Sequence, residues 1–176
     1  MDAEGNAYVT DIKGCKIWKL GVNGEVLSII KSPLFTSKGW FKSFFTLNGI
    51  VYHPNGYLLI VHTMSGNLFK IEIEKENEEI KVVKVRGGPL SYGDGMELLS
   101  PTKLLVAGYW GARLVESTDD WASANVVGEF RGPSHLLPTA VTVKDGKVYV
   151  NHLFGIGYTK KHVLVEAVFT SYDIGG

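Results

Sequence analysis

Leu-Asn-Gly-Ile-Val-Tyr-His-Pro-Asn-Gly-Tyr-Leu-Leu-Ile-Val-His (residues 47–62) and Gly-Asp-Gly-Met-Glu-Leu-Leu-Ser-Pro-Thr-Lys-Leu-Leu-Val-Ala-Gly (residues 93–108) are one phrase written twice. In each, a polar residue before a glycine, Asn48 or Asp94, opens a short apolar run. A turn follows, and a more strongly apolar run begins ten residues after the polar one, at Leu58 and Leu104. From Asn48 to Asp94 is 46 residues. A self-similar unit of that length, built of short strands and tight turns, marks one blade of a β-propeller. Equivalent positions of successive blades face a shared axis, so Asn48 and Asp94 are expected to meet at one pocket.

Outward from that phrase, the rest of the chain divides into units that overlay on it. The first, about residues 5–33, reads as strands at 6–11, 16–20 and 26–30. An Asn23-Gly24 turn, the strongest short hairpin signal, separates the last two. The second unit (about 47–88) and the third (about 93–132) each read as four strands. The fourth (about 138–169) opens with Ala140 to Val143, a Lys144-Asp145-Gly146 turn, and Lys147 to Val150. No long 3.6-residue periodicity appears, and the 21 glycines fall at strand intervals. The expectation is a single all-β domain over residues 1–176: a partial (open) β-propeller of about four four-stranded antiparallel blades. Residues 32–46 are an insertion carrying Phe35, Trp40, Phe41, Phe44 and Phe45, which either packs on the blade tops or lines a substrate mouth.

Composition excludes several classes. Eighteen basic residues balance eighteen acidic ones, so neither nucleic acid nor an anionic membrane is an expected partner. Cys15 is the only cysteine, which rules out an intrachain disulfide and a thiolate metal cluster. No apolar run approaches the ~18–20 residues of a transmembrane helix. The five histidines make no H-x-x-x-H or H-E-x-x-H pair and read as structural hydrogen-bonding residues. There is no G-x-S-x-G and no P-loop.

Three stretches carry a family likeness: residues 2–11 (Asp-Ala-Glu-Gly-Asn-Ala-Tyr-Val-Thr-Asp); Asn48-Gly49-Ile50 with Pro54-Asn55-Gly56; and Asp94-Gly95-Met96 with Val106-Ala107-Gly108-Tyr109. Together they resemble the gluconolactonase/senescence-marker-protein family (SMP-30/gluconolactonase-like), in the calcium-dependent phosphotriesterase superfamily, and plant-type members of it most of all. The resemblance implies a six-bladed parent propeller. It also implies one divalent cation, usually Ca²⁺, held near the central channel by a Glu, two Asn and an Asp. Asn48 matches the second Asn, and Asp94 matches the Asp, which also serves as general base. The other two ligands have no counterpart here; the first Asn would fall in a strand upstream of Asp2. The chain thus corresponds to a propeller lacking its N-terminal blades.

Two classes of function follow. In one, Asn48 and Asp94 supply oxygen ligands, the chemistry of Ca²⁺ or another divalent cation, and Asp94 is catalytic in hydrolysing a small-molecule ester, phosphoester or lactone, incompletely or not at all in this chain. Trp40, Tyr109, Trp110 and Arg113 then line the pocket. In the other, Asn-Gly and Asp-Gly are turn formers, the aromatic residues pack between blades, and the propeller is a non-catalytic binding scaffold. In both, an open arc exposes blade edges, through which the chain is expected to associate with itself or a partner, unless it is a fragment of a longer polypeptide.

Overall fold

A computed structural model describes residues 1–36, 45–73, 79–108, 111–133, 136–153 and 162–171. Of the candidate pocket residues, Trp40, Tyr109 and Trp110 lie outside the described residues. The described chain is built of strands, with one 3-10 turn at Pro33–Phe35, and contains no helix long and apolar enough to cross a membrane.

Strands β1 (Ala7–Asp11), β2 (Lys16–Leu20) and β3 (Val26–Lys31) form an antiparallel sheet, the first unit. The second unit is β4 (Leu47–His53), β5 (Tyr57–His62), β6 (Leu68–Glu72) and β7 (Glu79–Arg86); the third is β8 (Met96–Ser100), β9 (Lys103–Gly108), β10 (Gly111–Glu116) and β11 (Ser123–Arg131). β12 (Leu137–Lys144), β13 (Lys147–Leu153) and β14 (Val163–Ala167) make the fourth. The two middle units have four strands each, whereas the first and fourth have three among the described residues. A short last strand, β15 (Thr170–Ser171), pairs with β11 of the third unit. β7 and β11 also meet, in parallel, over Ser123–Asn125 and Lys84–Arg86.

The apolar runs at 58–61 and 104–107 are continuous rather than alternating because each strand is buried on both faces. Successive side chains of β5 point opposite ways. Leu58 and Ile60 join Ile17, Ile30, Phe35 and Phe69 in a core between the first and second units. Tyr57, Leu59 and Val61 join Leu104, Val106 and Trp121 in a core between the second and third. β9 repeats the device: Leu105 and Ala107 turn the other way and pack on Val141 and Val150 of the fourth unit. Each seam between units is therefore a small hydrophobic core, and the seams order the arc. From the insertion, Phe35 is fully buried with its ring edge-on to Phe69 at 5.6 Å, whereas Phe45 is exposed.

Candidate functional site at the hub

The innermost strands β4, β8 and β12 begin at the same end of the arc, and backbone hydrogen bonds fix their register. Thr46 donates to the Ile12 carbonyl (2.6 Å) through Oγ1, and Tyr92 to the Thr63 carbonyl (2.7 Å) through its backbone N–H. Thr10 Oγ1 donates to the Asn48 carbonyl at 2.7 Å, and Thr63 Oγ1 to the Gly93 carbonyl at 3.0 Å. The Gly95 N–H donates to the Thr139 carbonyl at 2.9 Å. Asn48, Asp94 and Thr139 consequently take one place in three successive units.

The glycines after the first two have a packing role beyond the turn. A Cβ on Gly49 would lie 2.1 Å from the Asp94 carbonyl oxygen, and one on Gly95 would lie 2.8 Å from both the Thr139 carbonyl oxygen and the Ala140 Cα. Neighbouring inner strands touch there, and only hydrogen fits. The repeated Asn-Gly and Asp-Gly phrases are in this sense contact points at the hub.

The structure brings the two predicted residues together. Asn48 stands beside the Asp94 carboxyl. Burial pushes that carboxyl above the ordinary carboxylate range, and the neighbouring Asn48 amide only partly offsets the rise. Beside them, Asn151 Nδ2 donates to Thr139 Oγ1 at 3.3 Å. Glu97, in β8 three residues after Asp94, is likewise raised by burial. Arg113 stands on β10; its guanidinium donates to the Pro89 carbonyl, and it lines a narrow cleft with Leu90, Gly93, Ala107 and Gly108.

Thr139 and Asn151 escaped the sequence reading. Their signal was present, since Pro138-Thr139-Ala140 overlays on Leu47-Asn48-Gly49, but Thr and Ala replace the polar–glycine pair that identifies the phrase elsewhere. His53 and His62 make structural contacts. His53 Nε2 bonds the Pro101 carbonyl at 2.7 Å while its ring stacks on Tyr57 at 4.2 Å. His62 is buried, accepts from the Ser65 N–H through Nδ1 at 3.2 Å, and is pushed down by burial. His152 is fully buried, with Nε2 lacking a hydrogen-bond partner among the described residues; His135 lies outside the described residues. Among the described residues no group of three or more His, Cys, Asp and Glu is placed to hold a metal ion. Asn48 and Asp94 suit a hard cation in kind, but they offer two side chains where Ca²⁺ takes six to eight oxygens. This donor set does not by itself fit the ion.

No protein-family model and no curated protein matches the chain. Among solved structures it is similar to virginiamycin B lyase from Staphylococcus aureus, with 14% identity over 94% of this chain and 53% of that one and a TM-score of 0.60. It is similar to the major allergen Mala s 1 of Malassezia sympodialis at 18% identity, covering 96% of this chain and 54% of the allergen, with a TM-score of 0.65. It also resembles glutaminyl cyclase from Myxococcus xanthus at 14% identity over 98% of this chain and 72% of the cyclase (TM-score 0.54). Likeness at such identity shows the fold alone: the chain is an arc of β-propeller. It spans about half the length of the first two of these structures.

Proposed function

We propose that the hub end of the inner strands is a hydrolytic site for a small ester or lactone, with Asp94 as its acid–base carboxyl, in keeping with the gluconolactonase resemblance. The observation that supports this reading is the desolvated Asp94 carboxyl held by Asn48. A carboxylate raised by burial is a stronger base than a solvated one and is suited to proton transfer near neutral pH. Asp94 takes a proton from water as the water oxygen bonds to the acyl carbon. The acyl–oxygen bond then breaks, and the leaving alkoxide takes up that proton, giving acid and alcohol. Asn48 orients the carboxylate throughout, and the Thr139–Asn151 pair offers hydrogen bonds to the substrate's oxygens. A divalent cation, Ca²⁺ included, belongs to this reading only with oxygen donors beyond Asn48 and Asp94, and no step above depends on one.

Hydrolysis of δ-gluconolactone and of p-nitrophenyl acetate, followed with and without added Ca²⁺, tests it. The expected outcome is turnover that falls about 10²–10⁴-fold in Asp94→Asn, the usual range for a lost acid–base group. Equal rates in the two proteins, or no rate above the uncatalysed one, would overturn the assignment.

A further inference from the structure

The seam between the first and second units is not fully packed. It holds a cavity of about 290 Å³ lined by Asp2, Ala3, Glu4, Tyr8, Lys19, Tyr52 and Ile73. The next seam shows that such room is not a general feature of this fold. Lys70 takes the place in the second unit that Lys19 takes in the first: Lys19 pairs with Tyr8 across β2 and β1, and Lys70 with Leu59 across β6 and β5. Around Lys70 the space is filled by Asp120, whose carboxylate takes the lysine at 2.6 Å, and by the buried Trp121.

We propose that the cavity is a binding site for a small neutral polyhydroxylated ligand, a monosaccharide or cyclitol, separate from the hub. Size is the first argument. At about 290 Å³ the space lies at the lower edge of the ~300–1,000 Å³ of drug-sized pockets, so it takes a single small ring.

Charge is the second argument. Asp2 already meets Lys19 at 3.7 Å and accepts from Tyr8 Oη at 3.1 Å and from Asn6 Nδ2 at 3.0 Å. Glu4 accepts from the same Asn6 amide at 3.0 Å, which leaves its other oxygen as an acceptor. An anion entering here meets two carboxylates; Asp2 is already paired with Lys19, so a cation finds Glu4 alone as its counter-charge, with the Lys19 ammonium nearby. A hydroxyl group both donates and accepts, so a polyol satisfies Glu4, Lys19 and the Tyr52 phenol together without adding charge. Ile73, Ala3 and the tyrosine rings supply apolar surface for the carbon face of such a ring.

Isothermal titration and saturation-transfer NMR of the chain decide the matter, with methyl α-D-glucopyranoside and myo-inositol as probes and tetramethylammonium and acetate as charged controls. The expected result is saturable polyol binding with a Kd on the order of millimolar, weakened about three- to tenfold each in Glu4→Gln and Tyr52→Phe, as for loss of one hydrogen bond. Both changes are conservative, and an unchanged melting temperature certifies the fold. Four results would overturn the proposal: no polyol saturation up to about 100 mM, far above the expected Kd; tighter binding of either charged probe; affinities within about twofold of wild type in both variants; or binding abolished by Asp94→Asn, which would put the polyol at the hub.

Discussion

Lys19 and Lys70 stand at the same place in consecutive units, each beside a tyrosine and a carboxylate, and the two seams they face have come out differently. In the second seam Lys70 is 7% exposed; its ammonium lies 3.9 Å from the centre of the Tyr57 ring and 2.6 Å from Asp120 of the next unit. Tyr57 and Asn55 also donate to Asp120, at 2.8 and 3.0 Å, so a carboxylate of the third unit is bound by three side chains of the second. In the first seam Lys19 lies 5.6 Å from the Tyr8 ring centre, and its carboxylate, Asp2, comes from its own unit. A lysine served only from within its unit does not tie that unit to the next, and beside Lys19 the first seam keeps a pocket. The second is closed by a turn that places Asp120 and Trp121 at φ of 54° and 63°. Non-glycine residues seldom adopt that region. Burial of Trp121, with Nε1 bonded to the Pro101 carbonyl at 2.9 Å, offsets the strain.

The comparison breaks most readily at Trp121. Trp121→Ala is expected to cost about 3–5 kcal/mol in a urea or thermal unfolding experiment, the range for truncating a buried aromatic residue. A loss under about 1 kcal/mol, the level of an ordinary surface change, would mean that the second seam is not held by this plug. The lysines give the next largest contrast. Lys70→Met leaves Tyr57, Asn55 and Asp120 without their cation and is expected to cost about 1–3 kcal/mol, reduced from the fully buried case because the Asp120 side chain is 55% exposed. Lys19→Met is expected to change stability by no more than about 1 kcal/mol. Equal losses would erase the distinction between the seams.

How far the sequence carried depends on the range of the interaction. Strands were legible throughout: Lys16 to Leu20 alternates because it is half-buried, and the unbroken apolar run at 58–61 belongs to a strand covered on both faces. The meeting of Asn48 and Asp94 was legible because both open the same phrase. Thr139 was not, because the phrase is degenerate in the fourth unit. Neither seam was legible. Lys70 and Asp120 lie 50 residues apart, and their contact depends on a left-handed turn formed by Asp and Trp, which no turn preference announces. Packing of the insertion, as Phe35 shows against Phe69, was likewise only one of its two readings, and tertiary contact decided it for that residue.

Asp120 offers a smaller and sharper test, through pH. The Lys70 hydrogen bond, against some desolvation and helped by Tyr57 and Asn55, lowers its carboxyl from 3.8 to about 2. A carboxyl lowered by folding contributes stability that is present above its unfolded value and lost as pH falls through the folded one. The wild type should therefore lose stability between about pH 4 and pH 2 more steeply than Asp120→Asn, measured as melting temperature against pH. Parallel profiles would remove Asp120 from the seam's electrostatics.

Asp94 gives the smallest expected effect, and with the opposite sign. It sits near the other end of β4 from Asp120, has Asn48 beside it as Asp120 has Asn55, and belongs to the same third unit. Yet here burial sets the balance and raises the carboxyl. A group whose pKa is raised by folding stabilises the protein while protonated, below its unfolded value, and that contribution is lost as pH rises through the folded value. At neutral pH, then, the ionised Asp94 opposes folding. Replacing it by the neutral, nearly isosteric amide should raise stability at pH 7 by roughly 0.5–2 kcal/mol, the gain commonly found when a strained functional group is relieved. Near pH 3, where the wild-type carboxyl is already protonated, Asp94→Asn and wild type should melt together. The same substitution is the one expected to abolish hydrolysis, so a variant both more stable and inactive would mark Asp94 as a residue kept for chemistry. A variant less stable at every pH would instead make the Asn48–Asp94 pair a structural tie like that at Asp120, and the two ends of the seam would then differ only in exposure.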